Sequence, residues 1–252
     1  MKRKKLVAAN WKMNLTLQEG EALISALLSG LPDQPTCDIL IAPPFTHLQT
    51  ALTQTRNSPI GVAAQHCHEQ ASGAYTGEVS AEMLKSLGIR FVITGHSERR
   101  QLFHEDDNRV RQKVDAIVRA GLTPIFCCGE PMEIREAGKQ VEYVREQLKS
   151  GLFHLAPALF ERVIITYEPI WAIGTGQTAT PEQAQEMHLA IRNEVADRYF
   201  SKAGEELRIL YGGSVKADNA QSIFSMPDVD GSLVGGASLD ADSFLKIIDA
   251  AC

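Results

Sequence analysis

The chain has 252 residues, 44% hydrophobic and 22% charged, with 31 acidic against 25 basic side chains and a net charge of −6. This is ordinary globular composition with length for one large core, and it leaves no global basic field to hold nucleic acid, so an anionic ligand would need a local site. No apolar run approaches the roughly 18–20 residues of a membrane span.

The chain begins Met1-Lys2-Arg3-Lys4-Lys5, like a signal peptide. The apolar run that follows, 6–9, is too short for one and is interrupted by Asn10 and Lys12. The basic residues are therefore read as a solvated tail. Residues 17–29 place Leu17, Leu23, Ile24, Leu27 and Leu28 at helical spacing. Further apolar, β-branched runs follow at 39–42 and 60–64. Residues 65–79 have no clear element, and long loops in compact domains tend to be functional or to make contacts. Within them His66-Cys67-His68 hints at a metal, but no second cluster stands at a finger-like spacing, so polar residues leaving a strand are read instead. Runs at 91–94 and 123–127 come after Gly88 and Gly121, which sit where helix C-terminal glycines belong. The run 163–167 ends at Glu168. Thr180-Pro181-Glu182-Gln183 forms a capping box and opens a helix to about residue 200. The last runs are 207–211 and 232–234, followed by Gly212-Gly213-Ser214 and Gly235-Gly236.

The apolar runs are short and nearly continuous, as strands buried on both faces should be. Alternating with helices over 1–252 and lacking a low-complexity linker, they predict one single-domain α/β fold, a closed (β/α)8 barrel. A doubly wound open sheet is the alternative. It would usually show Gly-x-Gly-x-x-Gly after the first strand, where this chain has Asn10-Trp11-Lys12-Met13-Asn14. The five cysteines, Cys37, Cys67, Cys127, Cys128 and Cys252, are odd in number and follow no Cys-x-x-Cys spacing. Adjacent Cys127 and Cys128 are poorly placed for an ordinary disulfide, and a reducing, cytoplasmic setting fits.

A barrel gathers its chemistry just after the strand C-termini. There the sequence places Asn10 and Lys12, then Gly95-His96-Ser97-Glu98-Arg99-Arg100, then Glu168, then the glycine pairs. After Glu168 come Pro169, an apolar tip Ile170-Trp171-Ala172-Ile173, and Gly174-Thr175-Gly176. Exposing that tip would forfeit roughly 1.5–3 kcal/mol per large side chain. Residues 169–178 are therefore read as a lid that closes over a ligand, a surface loop packed permanently on a neighbour being the alternative.

These pieces, with Tyr211-Gly212-Gly213-Ser214-Val215 and Leu233-Val234-Gly235-Gly236-Ala237-Ser238-Leu239, resemble the triosephosphate isomerase family over essentially the whole chain and in order. The resemblance implies a TIM barrel. It implies interconversion of dihydroxyacetone phosphate and D-glyceraldehyde 3-phosphate, in glycolysis and gluconeogenesis, with no metal or organic cofactor. Glu168 would be the base, strengthened as the closing lid sheds water. His96 would be a neutral electrophile, kept so by a nearby helix N-terminus. Lys12 would offset phosphate and enediolate charge, and Asn10 would hold Lys12 and the substrate oxygens. Glu98 would contact the Lys12–Asn10 region, a salt bridge to Lys12 being an equal reading. Backbone N–H groups around Gly212-Gly213-Ser214 and Gly235-Gly236, with the following helix N-terminus, would form the phosphate nest, joined by Gly174 on closure. Residues 65–79 would dock into a second copy, Thr76 reaching its active site, to form a homodimer.

Two positions depart from the family pattern: His104, where a small residue is commoner, and Cys128, where an aliphatic one is usual. Cys127 is read as structural, a redox role for the vicinal pair being the alternative. Two other functions stay open: a different phosphate-binding barrel enzyme such as an epimerase or synthase, and an inactive barrel serving as a binding module. The first would not need Lys12, His96, Glu168 and the lid together; the second does not explain why all are present.

Overall fold

Closure of a parallel sheet onto itself organises the molecule. In the computed structural model, which describes residues 3–174 and 177–252, each apolar run becomes a strand. These are β1 (Leu6–Asn10), β2 (Asp38–Ala42), β3 (Ile60–Ala64), β4 (Phe91–Thr94), β5 (Thr123–Cys128), β6 (Ile164–Tyr167), β7 (Arg208–Tyr211) and β8 (Gly231–Val234). Each pairs in parallel with the next, and β8 returns to β1 from Leu6↔Gly231 to Ala9↔Val234. The expected boundaries hold to within one residue at each end.

Side chains of a strand alternate between two faces, and here both are covered. Leu6, Ala8, Leu40, Ala42, Ile93, Ile125, Cys127, Ile164, Leu210 and Leu233 pack together inside the bore. Their neighbours Val7, Ala9, Ile39, Ile41, Phe126, Ile165 and Ile209 point out and pack beneath the helices. No strand has a polar face, which is why the runs read as continuous.

The helices begin and end where local chemistry dictates. The first, Leu17–Gly30, is capped by Thr16, whose hydroxyl accepts the Glu19 N–H while the Glu19 carboxylate accepts the Thr16 N–H at 2.7 Å. The same box, from Thr180 and Gln183, opens Pro181–Arg198. Gly88 ends Ala81–Leu87 with φ 98°, and Gly121 follows Asp107–Arg119 with φ 80°, a region where only glycine is free of strain. His104 has φ 54°. An L side chain in that conformation costs about 1–2 kcal/mol.

Two expectations are corrected at the floor of the barrel. The described part of the basic start is not a solvated tail: Arg3 Nε pairs with Asp230 at 2.6 Å, Lys4 with Asp38 at 2.6 Å, and Lys5 donates to the Phe224 and Val229 carbonyls. Nor are all cysteines reduced. Cys37, just before β2, is disulfide-bonded to Cys252, after the last helix Ala241–Ala251, across 215 residues. Cysteine spacing could not show this, because barrel closure alone brings the two residues together. Closing so long a loop stabilises by up to about 5 kcal/mol in the chain-entropy account.

Unfolded without reductant, the protein should therefore titrate three thiols, from Cys67, Cys127 and Cys128. Cys37→Ser should lower Tm by about 10 °C; a colorimetric thiol titration in denaturant checks the first expectation and a calorimetric scan of wild type and variant the second.

Candidate active site

The alternation that fills the bore also delivers the reactive groups. Leu6 and Ala8 face inward on β1, and Asn10 follows in the same phase; Ile164 faces inward on β6, and Glu168 is four residues further on. Both polar groups emerge at the C-terminal mouth.

Beyond β1 the chain turns sharply. Lys12 has φ 53°, a left-handed conformation that costs about 1–3 kcal/mol and persists only where the surroundings hold it. Three contacts do so. The Asn10 side-chain oxygen accepts the Lys12 N–H at 3.1 Å, and Gln65 donates to the carbonyls of Lys12 and Ala42 at 2.8 and 2.9 Å. The Lys12 ammonium then meets Glu98 Oε1 at 2.7 Å, the salt bridge weighed from sequence. It also lies beside Gly235, where an added Cβ would stand 3.7 Å from Nζ.

His96 leaves β4 and caps the short helix Ser97–Leu102: its Nδ1 accepts the Glu98 N–H at 3.2 Å. An acceptor at Nδ1 assigns the ring proton to Nε2, so the imidazole is the neutral tautomer. Nε2 lies 3.0 Å from Glu168 Oε1. The other oxygen of Glu168 accepts the Ser97 N–H at 2.9 Å, and the residue is only 2% exposed. Its backbone is stitched to β5 by the Glu168 N–H to Cys128 carbonyl bond at 2.7 Å. Glycine is needed on both sides. A Cβ on Gly129 would fall 1.7 Å from the Glu168 carbonyl oxygen, and one on Gly212 would fall 2.8 Å from Glu168 Cγ.

A cavity of about 270 Å³ opens beside these groups, walled by Asn10, Lys12, His96, Gly174, Ser214, Gly235 and Gly236 among others. Its charged lining residues are Lys12 and Lys216, with no carboxylate among them. In a chain of net charge −6 this is a local cationic basin suited to an anion. The element after β8 is one 3-10 turn, Gly236–Leu239, rather than a long helix.

The lid departs from expectation in one respect. Its tip is not bare: Ile170–Ala172 forms a 3-10 turn in which Ala172 is buried and Trp171 half-buried against the core. Trp171 Nε1 donates to Glu130 Oε1 at 3.0 Å, and the Tyr167 hydroxyl donates to the same oxygen at 2.9 Å. Burial raises the Glu130 pKa above the usual carboxylate value, against the opposing effect of these donors and Arg135. The Arg135 guanidinium lies 5.9 Å from the Trp171 ring and pairs with Glu186 at 2.8 Å. Thr175 and Gly176, where the rear hinge was expected, lie outside the described residues.

The other cysteine and histidine motifs serve packing. Cys127 and Cys128 are fully buried; burial pushes both thiols well up, the nearby Glu168 carboxylate adding to the effect at Cys127, which disfavours the reactive thiolate. Burial also carries the Cys67 thiol up to about 12. His66 lies on the Phe45 ring at 4.9 Å, its pKa lowered to about 4 by burial and then by the Arg99 and Lys113 cations. His68 accepts the Gln70 N–H and lies against Tyr75 at 4.2 Å, bracing the loop 65–79 at its base.

The fold and site together define a class, the (β/α)8-barrel enzymes with a carboxylate, an imidazole and an ammonium around one cavity at the barrel mouth. Comparison with known proteins narrows this. The family model described as triosephosphate isomerase matches residues 5–251. The chain is 47% identical over 248 residues to a protein named triosephosphate isomerase from Flavobacterium johnsoniae, covering 98% of this chain and 99% of that one. Proteins of the same name from Flavobacterium psychrophilum and Porphyromonas gingivalis are 51% identical over 247 residues and 52% identical over 249, with the same two coverages. The chain belongs to the triosephosphate isomerase family.

Several residues escaped the reading of the sequence. Ser97, which holds Glu168, was visible only as the neighbour of His96. Gly129 followed a cysteine pair that drew the attention instead. Gln65 and Lys216 gave no signal, because their roles depend on where distant loops meet.

Trp171→Phe removes one hydrogen bond to a carboxylate, worth about 1.5 kcal/mol. It should loosen the Ile170–Ala172 turn and, because Gly174 lines the cavity in the position seen here, weaken inorganic phosphate binding by up to about tenfold. Titration calorimetry on the two proteins measures the change.

Proposed function

We propose that the chain interconverts dihydroxyacetone phosphate and D-glyceraldehyde 3-phosphate by proton transfer through an enediol(ate), with no metal or organic cofactor. The observation that carries this reading is the 3.0 Å approach of Glu168 Oε1 to His96 Nε2, beside the Lys12 ammonium and a cavity suited to phosphate.

A substrate carbonyl that enters between these groups accepts the His96 Nε2–H and turns its α-carbon toward Glu168. Glu168 leaves the Ser97 N–H and removes the α-proton. The electron pair moves to the carbonyl oxygen, where the imidazole proton and the Lys12 charge stabilise it. His96 passes its Nε2 proton to that oxygen and takes up the proton of the neighbouring hydroxyl, while Glu168 returns a proton to the carbon that bore the original carbonyl; aldehyde and ketone are thereby exchanged. Asn10 fixes the turn that aims Lys12, and Glu98 holds the ammonium until the substrate arrives. Ser214, Gly235, Gly236 and Gly174 of the lid line the phosphate end, where a bare backbone approaches an anion without obstruction.

The working form is a homodimer. Residues 70–78 of the loop 65–79 are exposed, Thr76 among them, while its base is fastened by the His68 N–H to Val79 carbonyl bond at 2.8 Å. The same chain presents a groove of about 490 Å³ lined by Met13, Phe45, Gln65, Glu98, Leu102 and other residues, next to Lys12 and His96. Met13 is 95% and Leu102 70% exposed. A projecting loop and an apolar groove on one chain make a self-complementary pair, as a two-fold interface requires. Thr76 then reaches the partner's Lys12 region.

The role belongs to glycolysis and, in reverse, gluconeogenesis, which places the protein in the cytoplasm. No described helix is long and apolar enough to cross a membrane. The Cys37–Cys252 bond is buried at Cys37 and exposed at Cys252.

A coupled assay with glyceraldehyde 3-phosphate in EDTA should show turnover; none in folded protein would sink the proposal. Glu168→Asp withdraws the carboxylate by about 1 Å and should lower kcat about a hundredfold or more with the circular-dichroism spectrum unchanged. Sedimentation should give a dimer, and Met13→Asp should yield a monomer with activity reduced at least about tenfold.

A further inference from the structure

We propose that Asn219 is a positioning residue for substrate binding: its carboxamide holds the loop after β7 in the form that receives phosphate. The proposal rests on the phosphate-binding reading of that loop.

Asn219 is half-buried and touches the loop twice. Its Oδ1 accepts the Lys216 N–H at 2.8 Å, and its Nδ2 donates to the Ser214 carbonyl at 3.1 Å. Its backbone N–H donates to the Lys216 carbonyl at 3.3 Å, and the Ala220 N–H joins the same oxygen at 3.0 Å. The carboxamide thus braces 214–219 from within. Gly212 to Lys216 line the cavity, whereas Asn219 does not. It acts through residues that meet the ligand.

The position itself sharpens the point. Asn219 stands at the N-cap of Ala220–Phe224, where an Asn side chain usually accepts an N–H of the first helical turn. Here it makes no such bond and is turned back to the loop. Its φ of −111° and ψ of −8° are open to any residue, so the side chain rather than the backbone is what the site uses.

The consequence is electrostatic. A carbonyl oxygen aimed at phosphate repels it, while an N–H attracts it. The Nδ2 bond engages the Ser214 carbonyl, so that oxygen is held by a donor at Asn219, a residue outside the cavity wall. The Oδ1 bond fixes the Lys216 backbone, and with it the root of the second cation on the cavity wall. The task needs an acceptor and a donor on one short side chain. Asp keeps the acceptor, loses the donor and adds a negative charge behind the anion.

The test compares the full-length wild type with Asn219→Ala and Asn219→Asp, reading KM for glyceraldehyde 3-phosphate, kcat, competitive inhibition by inorganic phosphate, and Tm. For Asn219→Ala, KM and the phosphate inhibition constant should both rise about tenfold, the equivalent of one or two lost hydrogen bonds, with kcat falling less than about threefold. Asn219→Asp should weaken phosphate at least as much, and serves alone if the alanine variant does not fold. Unchanged phosphate inhibition in either folded variant overturns the role of Asn219 while leaving the phosphate site standing. Parallel loss of kcat with an unaltered inhibition constant overturns it too. A wild type that inorganic phosphate does not inhibit removes the phosphate reading together with the proposal.

Discussion

The return of β8 to β1 is the constraint on which the rest depends. A closed parallel sheet has no edge and no solvent face, so each strand must be apolar on both sides and side chains must alternate between bore and helix layer. Once that phase is set, the residue that follows the last inward apolar group is also directed into the mouth. Asn10 and Glu168 occupy such places, and Gly212 and Gly235 follow inward Leu210 and Leu233 in the same phase. The core and the site are therefore one geometric pattern, continued from apolar into polar residues.

The site combines rigid and movable parts. More firmly held are the imidazole, which accepts the Glu98 N–H, and the left-handed turn at Lys12, which Asn10 and Gln65 hold by hydrogen bonds. Glu168 is held through its backbone by β5, and among the described residues its side chain meets the Ser97 N–H and His96. A carboxylate with two exchangeable partners can change them without unfolding anything. The adjoining lid is fastened similarly, by the indole of Trp171 on the buried carboxylate of Glu130. A few hydrogen bonds in exchangeable arrangements allow motion where the barrel allows none.

Two surface features serve the proposed dimer. Glycines with positive φ at 73 and 77 shape the projecting loop, while the groove beside Lys12 keeps large apolar side chains in water. Neither feature helps an isolated chain. In the proposed dimer each covers the other, which places the interface beside the chemistry.

Much of this could be read from residues in order. Eight apolar runs, capping boxes at Thr180 and, unremarked, at Thr16, and glycines at 88 and 121 are local signals, because strand burial, helix capping and left-handed turns depend on near neighbours in the chain. The polar residues ending the strands were visible for the same reason. What the sequence could not show depends on residues far apart in the chain. Cys37 meets Cys252 only because the barrel closes. Arg3 and Lys5 leave solvent only because the floor of the barrel offers them carboxylate and carbonyl oxygens. Trp171 is half-buried rather than bare because Glu130, from another strand's end, reaches its indole. Alternation and capping are properties of neighbouring residues and are written in the sequence; ion pairs, disulfides and lid contacts join segments whose approach only the tertiary fold decides.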